Sequence, residues 1–432
     1  MRRQPLRASL AAAKPLCAVL WVGALLAAAP AARGQDAEVD PDQFVGGMSV
    51  DGDLAQDEAI RRSFGRRDTL MDPWFAWKSE LRQNTGLVIG GSYGVLWQSY
   101  SNTPPGVESN AVGHKFTFNL SYDLLNRGAP DALTFDMAVE DRRPLGTDRA
   151  PLQAGIAAGS AVPTAATWGD FSLGITQAYV RQNLFQNRFQ YTVGKIFAPN
   201  FVNAYPFFDD NRQFLSLQFS TSPTIAVPLR GFGGVAAWYP QGGPGLYMQG
   251  GMFTPYSSDT GSTIGDFFGE NDYFYSLDFG FSALAASGVP INARGPMDRN
   301  NISMTVWYRD PLNNGSPRAN GVAFNANWLF GENFMPFLRG GWSDGWQLDR
   351  NVSLGLGWRP PTAPADLLGV AIGWTRPANT ILREQVTSEV FYRWAITPNL
   401  AITPVLQLVN NPALNPREDQ LWVFSLRGRL AF

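Results

Sequence analysis

From residue 87 to the carboxyl terminus, apolar and polar side chains trade places at every second residue. The closing segment, Leu421 to Phe432, shows it most plainly: Trp422, Phe424, Leu426, Leu430 and Phe432 share one parity, and Ser425, Arg427 and Arg429 the other. Side chains of a strand point alternately to its two faces, so such a segment has one apolar face and one hydrophilic face. The same period runs through Phe116, Phe118, Leu120 and Tyr122 against Lys115, Thr117, Asn119 and Ser121. It recurs in Leu133, Phe135, Met137 and Val139, in Tyr273 to Phe281, and in Ile302 to Tyr308.

Two architectures satisfy that pattern. In a soluble sandwich the apolar faces meet in a core about 10 Å thick. In a membrane barrel they look out at lipid while the polar faces line a lumen. Three observations favour the barrel. The apolar faces are crowded with Phe, Tyr and Trp near strand ends, as aromatic girdles require. Charged residues make up 16% of the chain, against about a quarter in soluble domains. The chain stops on Phe432, the kind of terminal aromatic strand that barrel-assembly machinery reads. A mean hydropathy of −0.14 excludes a helical membrane protein.

The amino terminus reads as a secretion signal. Arg2, Arg3, Arg7 and Lys14 precede an apolar run over 16–29, too short to span a bilayer, and small residues follow. Cleavage is expected after Gly34, with Ala31 the alternative. Cys17 lies inside the apolar run without a lipobox, so the mature chain has no cysteine and no disulfide. Removing the five cations of residues 1–34 leaves 29 Lys and Arg against 36 Asp and Glu, a net charge of −7. That sign disfavours nucleic acid. Residues 35–71 are acidic and without period and read as flexible. Asp72 as cap, Pro73 and a terminating Gly86 predict a helix over 72–85, with Trp74, Trp77, Lys78 and Leu81 on one face, resting on the periplasmic mouth.

The barrel then occupies 87–432. About sixteen strands are expected, near 87–100, 114–123, 132–140, 172–183, 188–197, 232–240, 245–253, 272–282, 301–309, 321–330, 334–342, 351–358, 366–375, 386–394, 399–409 and 420–432. Connections after even-numbered strands are short, such as Asn126-Arg127-Gly128 and Gly331-Glu332-Asn333. Those after odd-numbered strands are longer, with 141–171 and 198–231 near thirty residues. Short turns at one end and long loops at the other are what a bacterial barrel shows with both termini in the periplasm. The segment 283–300 is an exception, long where a short turn is expected.

Several segments resemble the carbohydrate-selective porins of the OprB family. The likeness is clearest in Val193-Gly194-Lys195, Gly341-Trp342-Ser343-Asp344-Gly345 and Glu389-Val390-Phe391-Tyr392-Arg393. It continues through Leu400 to Gln407 and Asn411-Pro412 to the closing Arg427-Gly428-Arg429-Leu430-Ala431-Phe432. The resemblance implies a sixteen-stranded outer-membrane barrel that passes sugars by diffusion. No local match covers 141–170.

A sixteen-strand barrel is wide enough for an aqueous lumen, so something must narrow it. Segment 198–231 is too long for a plain connection and too aromatic for disorder (Phe201, Tyr205, Phe207, Phe208), so it is expected to fold inward. Asp209, Asp210, Arg212 and Arg230 on it would then face Glu140, Arg181, Arg339, Glu389 and Arg393 on inward parity of the wall. Opposed Arg forks and carboxylates supply the donors and acceptors that sugar hydroxyls need when a narrow pore strips their water. For each of these residues taken singly, a solvated lumen or rim charge with no special role is the more expected reading. Trp307, Phe274 and Phe391 are inward too, but three aromatics do not make a stacking track.

Catalysis is not expected. His114 is the only histidine and sits at a membrane–water rim, and there is no GxSxG, P-loop or CxxC motif. No cofactor or metal is implied, and Asp51-Gly52-Asp53 lacks the later ligand spacing of a calcium loop. The expected partners are small saccharides as solutes, outer-membrane lipid, and the assembly machinery acting on Phe432. The alternatives are a channel for organic acids or aromatic compounds, a barrel enzyme on lipids or envelope polymers built on His114, and a plugged scaffold or adhesin.

Overall fold

The computed structural model describes residues 48–58, 71–127, 129, 131–185, 188–240, 245–284, 299–331 and 333–432. Two helices come first, α1 (Val50–Glu58) and α2 (Asp72–Thr85). The strands that follow are β1 (Leu87–Tyr100), β2 (Asn110–Leu125), β3 (Leu133–Pro144), β4 (Phe171–Leu184), β5 (Phe189–Phe197), β6 (Arg230–Trp238), β7 (Gly245–Phe253) and β8 (Phe274–Leu284). They continue with β9 (Arg299–Arg309), β10 (Ala319–Asn327), β11 (Phe334–Asp344), β12 (Leu348–Trp358), β13 (Leu367–Pro377), β14 (Gln385–Ala395), β15 (Leu400–Asn410) and β16 (Gln420–Ala431). Short helices α3 (Pro151–Ala157), α4 (Leu217–Ser220) and α5 (Ile264–Gly269) interrupt the loops. Each strand pairs antiparallel with its sequence neighbour, and β1 pairs with β16, closing a barrel of sixteen strands.

The two faces of that barrel are inverted relative to a soluble protein. On β16, Trp422, Phe424 and Leu426 are 43–45% exposed, while Ser425, Arg427 and Arg429 on the opposite parity are 0–7% exposed. Leucine outside and arginine inside is the arrangement of a strand between lipid and a polar lumen. Exposed aromatics collect at both ends of the outer face. Trp97, Tyr275, Tyr308, Trp342 and Trp422 lie toward the long loops, and Tyr122, Trp238, Trp358 and Trp394 toward the short turns. His114 is on the outer parity, stacked on Tyr93 (5.7 Å) with Nε2 3.3 Å from Asp141.

The chain ends are sewn together. Phe432 exchanges two backbone hydrogen bonds with Gly91 (2.8 and 2.9 Å), and its ring stacks on Phe116. Lys78 of α2 donates to the Phe432 carbonyl (3.4 Å), so the helix braces the barrel where it closes. The helix has the expected bounds, but Met71 occupies the cap position and Asp72 is already helical. Of its expected apolar face, Lys78 is buried whereas Trp77 is largely exposed.

A larger correction concerns residues 35–71, expected to be flexible. Within them, 48–58 form buried structure, with Met48, Val50 and Leu54 almost without exposure. The partners of α1 are lumen side chains of β2 and β4: Tyr179 Oη accepts from Val50 N (3.3 Å), and Asn119 donates to Asp53 (3.3 Å). An acidic nine-residue segment cannot hold a helix alone; arginines of the lumen supply what its sequence lacks. The expectation for 283–300 falls largely on 285–298, outside the described residues.

Where β5 hands over to the long segment after it, the ladder between β4 and β5 stops at the Ala178–Lys195 pair. The loop after β7 covers the gap: Lys195 Nζ donates to the carbonyls of Ile175 (2.8 Å) and Asp259 (3.0 Å), and Arg230 pairs with Asp259 (2.6 Å). Gly194 beside it has φ +147°, and a Cβ there would stand 2.4 Å from the Ala178 carbonyl. The Val193-Gly194-Lys195 run thus marks the point where β5 parts from β4 while still paired with β6. Ile372, at the centre of β13 and 51% exposed, tests the inversion. Ile372→Arg is expected to destabilise the barrel by about 2–4 kcal/mol in vesicle unfolding titrations; an unchanged urea midpoint would mean that this face meets water.

Candidate functional site: a constriction across the lumen

The segment 198–229 enters the lumen and is tied to the wall around most of its circumference. Asn203 N donates to Asp278 of β8 (3.3 Å) and its side chain to Thr305 of β9 (3.0 Å). Arg339 of β11 donates to Asn203 Oδ1 (2.6 Å) and lies 3.8 Å over the Tyr205 ring. Gln218 donates to Ser353 of β12 (2.9 Å), and Thr224 to Asn351 (2.8 Å). Glu389 of β14 accepts from the backbone N–H groups of Leu215 (2.6 Å) and Ser216 (2.8 Å). Arg427 of β16 donates to the carbonyls of Asp210 (2.6 Å) and Gln213 (3.0 Å).

Between these ties the segment packs its own aromatic core against the wall. Phe214 meets Phe391 edge-on at 4.9 Å, Phe207 meets Phe337 at 5.3 Å, and Tyr205 meets Phe337 at 5.5 Å. Such pairs contribute about 0.5–1.5 kcal/mol each beyond area burial. Phe391 is therefore part of this core. The other two inward aromatics, Phe274 and Trp307, stack on each other at 6.0 Å.

A second loop shares the space. Residues 145–170, with α3, bring Thr167 and Trp168 to Asp210: Thr167 N (2.6 Å) donates to its carboxylate and Trp168 Nε1 (3.3 Å) to its carbonyl. Lys115 of β2 donates to Thr167 Oγ1 (2.7 Å) and lies 3.5 Å from the Asp210 carboxylate. The two loops are also joined by backbone bonds, Ala166 N to Leu215 O (2.8 Å) and Leu217 N to Pro163 O (3.0 Å). Sequence reasoning placed the narrowing on 198–231 alone.

The third contributor is α1. Arg212, on the in-folded segment, meets Asp53 (2.6 Å), Asp57 (2.8 Å) and its own neighbour Asp209. Arg429 of β16 grips both oxygens of Asp57 (2.8 and 2.7 Å). Burial pushes the Asp57 carboxyl up, but Arg212 and Arg429 outweigh it and hold the group well below the usual carboxylate range. At Asp53 burial prevails over Arg212, helped by Asp209 and Asp57, and the group is raised. Burial opposes the Arg212 charge; Asp57, Asp209 and Asp53 more than offset it.

The sequence candidates thus separate into groups. Asp209, Asp210, Arg212, Arg339 and Glu389 all engage the crossing segment. Glu140 pairs with Arg142 (2.6 Å) and Arg230 (3.3 Å) where the segment ends, and Arg230 proves to be the first residue of β6 rather than part of the loop. Arg181 pairs with Asp136 (2.8 Å) and lies 3.5 Å from Asp51 at the start of α1. Arg393 donates to the Ala365 carbonyl (2.7 Å) in the turn before β13. Asp53, Asp57, Lys115, Thr167, Arg427 and Arg429 were missed. The inward parity of Arg427 and Arg429 was already legible; the i, i+4 spacing of Asp53 and Asp57 meant nothing without the helix.

Residues 307–432 match the sequence model of a known family. That family is the carbohydrate-selective porins, OprB. The matched stretch runs from β9 to the terminus and carries Arg339, Glu389, Arg393, Arg427 and Arg429. In fold the chain is similar to Pseudomonas putida OprB. The high-pH structure of that porin superposes with a TM-score of 0.65 at 14% identity, covering 86% of this chain and 99% of that one. Its low-pH structure gives 0.50 at 12%, covering 86% and 100%. No curated protein matches the sequence. The chain has the fold of an OprB-like porin.

Glu389→Ala leaves the Leu215 and Ser216 N–H groups without their acceptor, at a loss of about 1–3 kcal/mol for each buried group. Single-channel recordings are expected to show larger and noisier openings than the wild type. A quiet trace at wild-type amplitude would mean that the segment is held by other contacts.

Proposed function

We propose that the protein is an outer-membrane porin through which small saccharides diffuse passively. One observation carries this reading. Among the described residues, the lumen holds buried polar atoms with no protein partner: Arg427 Nε and Nη2, Arg339 Nε and Nη1, Gln213 Oε1, Gln407 Oε1 and Asp278 Oδ2. Buried donors and acceptors left unmet are unfavourable by about 1–3 kcal/mol each, so water held in the lining is expected to meet them, in exchange with solute hydroxyls where the lumen opens to them. The set contains both donors and acceptors. A hydroxyl answers both and a carboxylate only the donors, so polyhydroxylated neutral solutes fit the lining better than organic acids.

Placement in the outer membrane follows from a closed barrel with an apolar outer band, since closure leaves no strand edge in lipid. The leader over 1–34 and the reading of Phe432 by assembly machinery belong to the same proposal; the tight packing of Phe432 at the closing strands supports the second. In liposome swelling, neutral monosaccharides are expected to enter fastest, with disaccharides and carboxylates of similar size slower. Equal rates for carboxylates would favour an organic-acid channel, and the absence of swelling with every solute would favour a plugged scaffold.

A further inference from the structure

Four guanidiniums gather here: Arg212 and Arg429 meet at Asp57, Arg427 lies two residues from Arg429 on the same face of β16, and Arg393 feels the charge of all three. Their partners divide them into two pairs. Arg212 and Arg429 are neutralised by carboxylates, and two of the three that do so, Asp53 and Asp57, come from α1. Arg427 and Arg393 donate to backbone carbonyls, and among the described residues neither has a carboxylate in salt-bridge contact. The neighbouring acids are committed elsewhere. Asp210 holds Thr167 and Lys115, and Glu389 holds two backbone N–H groups and Gln407. Without Asp53 and Asp57 the four arginines would face only Asp209, Asp210 and Glu389, leaving cation in excess.

We infer that Asp53 and Asp57 are specificity determinants: α1 is a charge filter that turns an anion-attracting arginine belt into a passage for neutral hydroxylated solutes. The inference rests on the porin reading. A narrow passage lined by one sign of charge concentrates counter-ions. Chloride and carboxylates would then occupy the same guanidinium donors that a neutral sugar needs. By taking Arg212 and Arg429 out of circulation, α1 leaves Arg427 and Arg393 as the two arginines that hold only backbone carbonyls among the described residues. The helix is suited to the task because charge holds it where charge is needed: it touches the lumen through Asp51, Asp53 and Asp57, with Val50 and Leu54 as its buried apolar residues.

The test is the reversal potential of the purified full-length protein in a planar bilayer under a potassium chloride gradient, with a neutral monosaccharide titrated as blocker. Asp53→Asn with Asp57→Asn is expected to raise the chloride-to-potassium permeability ratio by about threefold or more, and to weaken sugar block. Asp57→Glu, which keeps the charge, retains wild-type selectivity. Arg393→Gln with Arg427→Gln, made on an intact α1, shifts selectivity toward potassium and keeps the idea testable should the double Asn variant fail to fold. Wild-type selectivity in both double variants, or an Asp57→Glu shift as large as that of the double Asn variant, overturns the charge filter. A wild-type protein that conducts nothing overturns the porin reading instead.

Discussion

Lipid offers a backbone no hydrogen-bond partner, so a chain crossing it as strands must pair every strand on both sides. The closure of β1 on β16 is where this protein meets that demand, through the nine residue pairs from Ser92–Ala431 to Tyr100–Val423. The rest follows from that closure. A closed sheet has one face outside and one inside, so the period-two sequence becomes a lipid face and a lumen face. Because sixteen strands enclose more space than wall side chains can fill, the lumen has room for further material, and this chain places two loops and a helix within it.

That material is bound by a different logic from the wall. The wall is held by its ladder and indifferent to which apolar residue occupies an outer position. The inner elements have no ladder, and depend on particular side chains: Arg339 on Asn203, Glu389 on two backbone N–H groups, Arg212 and Arg429 on α1. Charges buried in this way are tolerated because each is paired or hydrogen-bonded. Arg339 and Arg427 also keep donors without a protein partner, buried within the lining.

The wall was legible in the sequence because it is written in a local code. Alternation gave strands, Gly and Asn gave turns, and the loop asymmetry gave the direction, so sixteen strands could be placed to within a few residues. The inward turn of 198–231 was legible from its aromatics, which would be wasted in solvent. The contents of the lumen were not otherwise legible, because they depend on contacts between residues far apart in sequence. Asp57 and Arg429 are separated by most of the chain, and Thr167 meets Asp210 only because two loops fold inward together. Residues 48–58 looked flexible because their composition satisfies no partner nearby. Their partners were arginines whose inward parity could be seen but whose company could not.

The direction in which β16 faces decides whether a polar lumen exists. With Cys17 absent from the expected mature chain, single cysteines can be introduced at consecutive positions from Trp422 to Leu430, spin-labelled, and their relaxation compared with oxygen and with a water-soluble nickel complex in vesicles. Labels at 422, 424 and 426 should respond to oxygen dissolved in the lipid, and those at 423, 425 and 427 should be shielded from it, the two sets alternating without a break. A uniform response along the strand, or oxygen access confined to the odd positions, would mean that the arginines look outward and that no polar lumen exists for a sugar to cross.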